Sequence, residues 1–274
     1  MQDCKEADPW DPVAPGYAKV TTSLFRGFSE AALDLVPLDS GAHIADIACG
    51  PGTLTFLASK RGIRVSAIDY SPSMIQQLRM RAEAEDADGL RIVECDGQDL
   101  PFADDEFDAA FSLFGLMFFP DRLRGFQEML RILKPEGTGC VSSWAPLIES
   151  PMLHLMWRAL QQIDTDLPDP GSNHTPLEDP DQLKEEMTRA GFQNVEVVKI
   201  ERSNSFASAA QFWDSMERGA LPVAQIKAQT APATWLEQAE RAIHFIEAES
   251  SPPPMNLSAK AWLGFGRKPS AVSC

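Results

Sequence analysis

The stretch Ile44–Thr55 reads I-A-D-I-A-C-G-P-G-T-L-T, and the rest of the chain is organised around it. A short apolar run leads into a Gly-x-Gly turn, and a helical pattern starts directly afterwards at Thr53. In an α/β protein this is the order of a first strand, a tight turn and the first crossover helix. Glycine lacks a Cβ and accepts positive φ, so the backbone of this turn can approach a ligand closely. The free N–H groups at the start of the helix would point at the same ligand.

Strands alternate with helices along the first half of the chain. A helix over residues 17–36 comes first, and further helices start at Thr53, Ser71 and Asp121. The strands between them are predicted at residues 43–47, 64–68, 90–94, 107–113 and 138–144. This spacing predicts a doubly wound, Rossmann-like, mostly parallel sheet. Two more strands, at residues 195–200 and 260–267, follow among further helices.

The charge of the chain argues against several classes of partner. Among its 274 residues, 40 acids outnumber 24 bases, which gives a formal net charge of −16. Binding to nucleic acid or to an anionic membrane surface needs clustered Lys and Arg, and the sequence has no such run. Residues 1–10 lack the apolar centre of a signal peptide, and no apolar stretch is long enough to span a bilayer. We therefore predict a cytoplasmic protein, a monomer or homodimer, without nucleic-acid or membrane partners.

The five cysteines do not form a metal or redox motif. Their number is odd and no two are spaced as Cys-x-x-Cys, so reduced thiols are expected and no metal is predicted.

Three acids stand where predicted strands end. Asp46 lies within the first motif, Asp69 follows the second strand and Asp96 follows the third. In an open α/β sheet, ligands bind at the carboxyl ends of the strands, so one ligand can contact all three carboxylates. Asp69 is placed to accept hydrogen bonds from ribose hydroxyls, and Asp96 suits an exocyclic amine such as that of adenine. Asp46, beside the glycine turn, suits a cationic group.

The glycine turn differs from a nicotinamide-binding fingerprint in two ways. The third glycine of G-x-G-x-x-G, which allows close packing around a pyrophosphate, is missing after Gly52. In addition, Asp46 precedes Gly50 by four residues, and its charge would repel a pyrophosphate. A ligand with ribose and adenine but without phosphate fits this turn better.

At this point the sequence resembles the class I S-adenosylmethionine-dependent methyltransferases of the ubiquinone-biosynthesis-like (methyltransferase type 11) group. Residues 17–145 carry the resemblance closely, and residues 176–202 and 258–268 carry it more loosely. Its motifs follow in register: I-A-D-I-A-C-G-P-G-T, A-I-D-Y-S-P-S-M-I, V-E-C-D-G-Q-D-L-P-F, F-G-L-M-F-F-P-D and L-R-I-L-K-P-E-G-T. The resemblance implies a seven-stranded sheet with an antiparallel last strand, an inserted helical lid, and S-adenosyl-L-methionine as the cofactor.

The resemblance also implies which residues hold the methionine end of that cofactor. Asp46 would bind its amino group, directly or through water. Leu113, at the end of the fourth strand, would face the same end. Tyr17 matches an aromatic residue that reaches the carboxylate in similar proteins. Backbone would line the methionine at Ala48, Gly50 and Gly52.

The adenosine end is assigned in the same way. Asp69 would bind the ribose hydroxyls, with Tyr70 beside it, and Met74 would pack on the adenine. Asp96 would bind the adenine amine, helped by the backbone of Gly97 and Gln98.

The predicted division of the chain follows these assignments. A mobile arm precedes the cofactor-binding core, and two helical segments interrupt the core as parts of a lid. The ranges are 1–15 for the arm, 16–145 for the core, 146–178 for the lid helix and loop, 179–202 for a core helix and strand, 203–257 for the helical lid insertion, and 258–274 for the final strand and tail.

Aromatic and methionine residues cluster where the acceptor would bind. An apolar lid would suit an apolar, ring-containing substrate. His154, on the lid helix, is a weak candidate for a general base, because histidine is the usual base near neutral pH. A base is not required, because alignment of acceptor and methyl supplies much of the rate. The expected pocket residues are Met117, Phe118, Trp144, Trp157 and Trp213.

The sequence thus predicts a methyltransferase that acts on a small, apolar or aromatic acceptor. Oxygen is the first expectation for the acceptor atom, followed by nitrogen or carbon. Two alternatives stay open: a protein methyltransferase, and an S-adenosylmethionine-binding protein that is non-catalytic or catalyses another reaction.

Overall fold

A computed structural model describes residues 10–11, 13–87, 89–169 and 177–270. Its seven strands form one sheet. The first, β1, is buried over most of its length, as expected for an apolar central strand. The strands are β1 (His43–Ile47), β2 (Arg64–Asp69), β3 (Arg91–Glu94), β4 (Phe107–Leu113), β5 (Leu133–Trp144), β6 (Gln193–Phe206) and β7 (Met255–Arg267).

The order of the strands in the sheet is β3-β2-β1-β4-β5-β7-β6. The first five pair in parallel, and β7 runs antiparallel to both β5 and β6. The prediction of a mostly parallel, seven-stranded sheet with an antiparallel last strand is therefore confirmed. The chain order reverses between β1 and β4, and a crevice at such a switch point is where open α/β sheets bind ligands.

Helices cover both faces of this sheet. Successive residues of β4 point to opposite faces, because side chains alternate along a strand. Ala110 joins one apolar core, whereas its neighbours Ala109 and Phe111 join the other. In the described residues the helices are α1 (Ala14–Leu35), α2 (Thr53–Lys60), α3 (Pro72–Ala84), α4 (Arg122–Ile132), α5 (Pro151–Gln161), α6 (Pro180–Ala190), α7 (Ala209–Gly219), α8 (Leu221–Gln229) and α9 (Pro232–Glu249).

The last two strands are longer than their sequence pattern indicates. Their pairing extends from Gln193 opposite Arg267 to Phe206 opposite Met255. The polar, alternating half of β6 is a weak strand signal, and it becomes a strand because β7 supplies its hydrogen-bonding partners. The predicted insertion 203–257 consequently starts and ends within this strand pair.

The described part of the predicted arm 1–15 is folded. Helix α1 begins at Ala14, and Trp10 packs against the rings of Tyr17 and Phe118. Residues 1–9 lie outside the described residues. Helix α1 lies close to α7, because a Cβ on Gly219 would meet the Val20 side chain at 2.6 Å. Of the helices in the described ranges, none combines the length and apolar character that a bilayer span requires.

Candidate functional site

A cavity of about 510 Å³, here called the strand-end cavity, opens at the carboxyl ends of β1, β2, β3 and β4. Residues from each of these strand ends line it, together with the glycine turn and one side of α1. Its position is the one that the strand order predicts for a ligand.

The glycine turn forms one wall of the strand-end cavity. Ala48, Gly50 and Gly52 all have positive φ, at 54°, 53° and 83°. Gly52 is required for a second reason, since a Cβ there would lie 2.4 Å from the Leu78 side chain. A positive φ at a non-glycine residue is uncommon, and Ala48 holds one next to the cavity. Helix α2 starts directly after the turn, and Thr53 and Leu54 in its first turn line the cavity.

Asp46 lies at the bottom of this cavity and is only 2% exposed. Thr55 Oγ1 donates a hydrogen bond of 2.6 Å to Asp46 Oδ2. Burial raises the pKa of Asp46 to about 7, against the opposing effect of this hydrogen bond. A cationic ligand group beside Asp46 would favour the charged carboxylate and offset part of the cost of burying it.

Asp69, at the end of β2, is buried and oriented by backbone on both sides. Gly50 N donates to Asp69 Oδ2 at 2.8 Å, and Ser71 N donates to Asp69 Oδ1 at 3.0 Å. These bonds join the glycine turn to the start of α3. A carboxylate oxygen can accept more than one hydrogen bond, so these two bonds do not by themselves exclude a ligand from Asp69.

Asp96, after β3, is exposed at the rim of the same cavity. The backbone of Gln98 donates to Asp96 Oδ1 at 2.9 Å, and the Gln98 side-chain amide donates to the same carboxylate. Gln98 is held in turn by Asp121 N, which donates to its Oε1 at 2.8 Å. The carboxylate therefore has a fixed orientation although it is exposed.

A second cavity of about 320 Å³, here called the apolar cavity, adjoins the first. Its walls come from α1, the ends of β4 and β5, α5, α7 and α8, and they consist mainly of aromatic, methionine and leucine side chains. Among the described residues that line it there is no Asp, Glu, His, Lys or Arg. The two cavities share six wall residues: Trp10, Tyr17, Phe25, Phe114, Phe118 and Leu221.

Stacked rings form the boundary between the cavities. The ring of Phe114 stacks on Trp144, with centroids 4.2 Å apart, and on Phe25, with centroids 4.9 Å apart. Phe114 has a φ of 58°, and its N–H donates to Ser142 Oγ at 2.9 Å. The hydroxyl thus helps to hold a strained backbone that places the ring at the boundary.

Tyr17 lies where the two cavities meet. Its ring edge faces the glycine turn, because a Cβ on Gly50 would lie 3.8 Å from Tyr17 Cε1. Burial, and then the negative charge of Asp69, raise the pKa of the Tyr17 phenol. The phenol therefore stays protonated and acts as a hydrogen-bond donor.

Comparison with known proteins identifies the segment that carries this site. Residues 45–141 match the profile of a family described as a methyltransferase domain. This segment is similar to a methyltransferase domain. It contains β1 to β4, most of β5 and the three strand-end acids.

Curated relatives share the methyltransferase domain more strongly than the rest of the chain. An uncharacterized protein of Mycobacterium tuberculosis is 39% identical over 104 residues, which are 38% of this chain and 38% of the relative. The chain thus matches well under half of the length of such relatives. A demethylmenaquinone methyltransferase of Paenarthrobacter aurescens is 27% identical over 82% of this chain and 93% of its own length.

A solved structure shares the fold outside the domain as well. Phosphoethanolamine N-methyltransferase 2 of Haemonchus contortus, in complex with S-adenosyl-L-methionine, is similar with a TM-score of 0.59. It is 17% identical, and the similarity covers 95% of this chain and 57% of that one. This likeness concerns the fold.

Most of the predicted cofactor-binding residues line the strand-end cavity. Gly52 shapes the turn but does not line the cavity, whereas its neighbours Pro51 and Thr53 do. The predicted residues that line it are Tyr17, Asp46, Ala48, Gly50, Asp69, Tyr70, Met74, Asp96, Gly97, Gln98 and Leu113.

The predicted acceptor residues divide differently. Met117, Phe118, Trp144 and Trp157 line the apolar cavity. Trp213 does not line it and instead packs against Trp235 in the helical region. His154 lines neither cavity, so its position gives no support for a role as general base. In the described ranges, no cluster of His, Cys, Asp and Glu is arranged to hold a metal.

Several wall residues were missed by sequence reasoning. Trp10 was assigned to a mobile arm, although a tryptophan in an otherwise polar segment was a signal for a contact. Phe25 lies on the helical pattern of α1 and could not be distinguished from core. Met216 and Leu221 come from the helical region, which has no motif in the sequence. All four line at least one cavity.

Proposed function

We propose that the protein is an S-adenosylmethionine-dependent methyltransferase that acts on a small, apolar or aromatic acceptor. The observation that carries this proposal is the junction of two different cavities. The strand-end cavity presents three carboxylates and a glycine turn, and it shares six wall residues with an apolar cavity. A polar cofactor and an apolar acceptor would meet at their shared aromatic wall.

The residues of the strand-end cavity fit S-adenosylmethionine. The oriented carboxylate of Asp69 suits the ribose hydroxyls, and the oriented carboxylate of Asp96 suits the adenine amine. Asp46 lies beside the turn and suits the amino group of the methionine part. Space next to Gly50 is open except for Tyr17, so backbone can approach this part closely. The complex of the Haemonchus contortus protein with S-adenosyl-L-methionine, on the same fold, supports this choice.

When bound, S-adenosylmethionine supplies a methyl group activated by a sulfonium. The chain's contribution is to align an acceptor with that methyl and to exclude water. Phe25 and Phe114 lie at the boundary and would fix the approach of the acceptor. Tyr17 keeps its proton, so it would orient a ligand by donating a hydrogen bond rather than accept the acceptor's proton. Alignment and desolvation would therefore provide most of the rate.

The acceptor class follows from the wall chemistry. Methionine and aromatic side chains pack adaptably around flat, apolar rings. The resemblance to a demethylmenaquinone methyltransferase, whose name denotes a quinone acceptor, supports such a ring. We keep oxygen as the proposed acceptor atom, with nitrogen and carbon as alternatives that the structure of the product separates.

The proposal is tested by methyl transfer from isotopically labelled S-adenosylmethionine. The protein is incubated with labelled cofactor and with small-molecule extracts, and products are separated and weighed by mass spectrometry. A labelled small molecule one methylene heavier than its precursor is expected. Label in protein bands would instead favour a protein methyltransferase, and bound cofactor without any labelled product would favour a non-catalytic protein or another reaction.

A further inference from the structure

The indole of Trp10 lies in the wall of both cavities. Its ring meets Tyr17 edge to face, with centroids 5.6 Å apart and planes at 80°. It meets Phe118 in the same way at 5.5 Å and 71°. Trp10 therefore bridges the first helix and the loop after β4, above the line where the two cavities join.

Backbone and side-chain hydrogen bonds hold this position. The carbonyl of Trp10 accepts from Val13 N at 3.1 Å and from Ala14 N at 2.9 Å, which fixes it to the start of α1. Its neighbour Asp11 accepts through Oδ1 from Ser71 Oγ at 3.2 Å. Ser71 is the N-cap of α3 and follows the strand end that carries Asp69. The segment Trp10–Asp11 is thus tied to α1 on one side and to the proposed ribose site on the other.

We infer that Trp10 contacts both bound ligands and couples their binding, so that cofactor and acceptor each raise the affinity for the other. This inference rests on the proposed function, which assigns one ligand to each cavity. An indole is a large, flat apolar surface that can pack against the cofactor on one side and the acceptor on the other. A half-buried ring that the first ligand immobilises presents an ordered wall to the second, which then loses less entropy on binding.

The coupling is measurable without knowing the acceptor. S-adenosylhomocysteine serves as the cofactor-site probe and 2-naphthol as the apolar probe, and calorimetry gives the dissociation constant of each with and without saturating amounts of the other. In the unaltered protein each probe should lower the dissociation constant of the other by the same factor, as linkage requires. Trp10→Ala should weaken both probes by roughly two- to tenfold and bring the factor close to one. Trp10→Phe keeps a ring and should retain most of the coupling.

The hydrogen bond between Asp11 and Ser71 is tested separately. Asp11→Ala removes the carboxylate that Ser71 contacts and should reduce the coupling factor without abolishing it. Asp39→Ala, which removes another exposed carboxylate, is the matched control and should leave the factor unchanged. Thermal unfolding without ligands shows that each variant is folded.

Some results would overturn the inference. One is that the Trp10→Ala variant binds both probes as the unaltered protein does, or loses affinity for only one of them. Another is that the two probes bind to the unaltered protein independently of each other. A third is that 2-naphthol fails to bind although S-adenosylhomocysteine binds. A different result would show that the proposed function itself is wrong: neither S-adenosylhomocysteine nor S-adenosylmethionine would bind to the unaltered protein.

Discussion

The two cavities of this protein are neighbours with opposite chemistry and opposite origins. The strand-end cavity holds three carboxylates, and most of its wall comes from the loops that directly follow β1 to β4. The apolar cavity takes its wall from six separate elements and carries no Asp, Glu, His, Lys or Arg in the part of the chain that the structure describes. The strand-end cavity is formed by short segments of sequence, whereas the apolar cavity is formed where separate elements pack together.

The contrast teaches which half of the site is fixed by local rules. A turn with positive φ and a strand-end acid work through backbone geometry, so they depend on residues that are close in sequence. An apolar wall needs only size and apolar character, which many residues supply equally well. The comparison leads to three further predictions, each of which separates one cavity from the other.

The largest effect is expected at Asp69. Asp69→Ala removes the acceptor for Gly50 N and Ser71 N as well as the proposed acceptor for the ribose. Affinity for S-adenosylhomocysteine should fall by roughly 1–3 kcal/mol, through lost hydrogen bonds to a charged group. Calorimetry measures this loss, and binding of 2-naphthol in the absence of cofactor should stay nearly unchanged.

A matched control is Asp108, at the amino-terminal end of β4 and therefore opposite the carboxyl ends of the strands. Asp108 also accepts a backbone hydrogen bond, from His43 N at 2.8 Å, but it lines neither cavity. Asp108→Ala should reduce stability and leave both affinities intact. If Asp69→Ala bound S-adenosylhomocysteine as tightly as the unaltered protein does, the assignment of Asp69 to the ribose would be wrong.

The next effect concerns pH and Asp46. Burial raises its pKa to about 7, and a nearby cationic ligand group would lower it. Cofactor affinity should therefore be full above pH 7 and fall by up to about tenfold per pH unit below it, as protons compete for the carboxylate. Binding titrations between roughly pH 5.5 and pH 7.5 measure the slope.

Asp46→Asn should flatten this profile and weaken cofactor binding above pH 7. In the absence of ligand, the charged form of Asp46 lowers the stability of the fold, so stability depends on pH in the opposite direction to cofactor affinity. The folded-state pKa lies above the unfolded value of about 3.9, so the contribution of Asp46 to stability is present at low pH and lost as pH rises towards 7. The variant should accordingly unfold at a higher temperature than the unaltered protein at pH 8. A profile that stays as steep in the variant would assign the titration to another group.

The smallest effect is expected in the apolar cavity. Met216 is 2% exposed and lines that cavity alone. Met216→Ala should weaken 2-naphthol binding by roughly 1 kcal/mol through lost apolar contact and leave S-adenosylhomocysteine binding within twofold. Met187→Ala is the control, because Met187 is equally buried and lines neither cavity. Equal losses of 2-naphthol affinity in both variants would mean that general destabilisation, not the wall, caused them.

The sequence predicted the strand-end cavity well because its signals are local. Ile44–Thr55 indicated a strand, a turn and a helix, and β1 and α2 have the predicted bounds. The acids at Asp46, Asp69 and Asp96 come together because parallel strands end at one edge of a sheet. The hydrogen bonds that orient Asp69 could not be predicted from the sequence, because they join residues that only the folded turn brings together.

The apolar cavity was predicted only in part. Trp144 and Trp157 were identified because they follow a strand end or lie on a helix stripe, but the same reasoning also named Trp213, which packs in the helical core. An apolar residue on an amphipathic helix gives the same pattern whether it faces a core or a cavity. Trp10 was missed because nothing in its own segment indicates the aromatic partners that it contacts.

By itself, Ile44–Thr55 determined that this protein has a strand, a tight turn and a helix in that order, and Asp46, Asp69 and Asp96 determined that the strand ends beside the turn are acidic. Periodicity determined the sheet. Only the tertiary structure decided that Trp10, Phe25, Phe114 and Phe118 form a common wall between two cavities. The physical reason is range: turns and strand ends are set by neighbouring residues, whereas a wall is set by distant elements that pack because their surfaces are apolar.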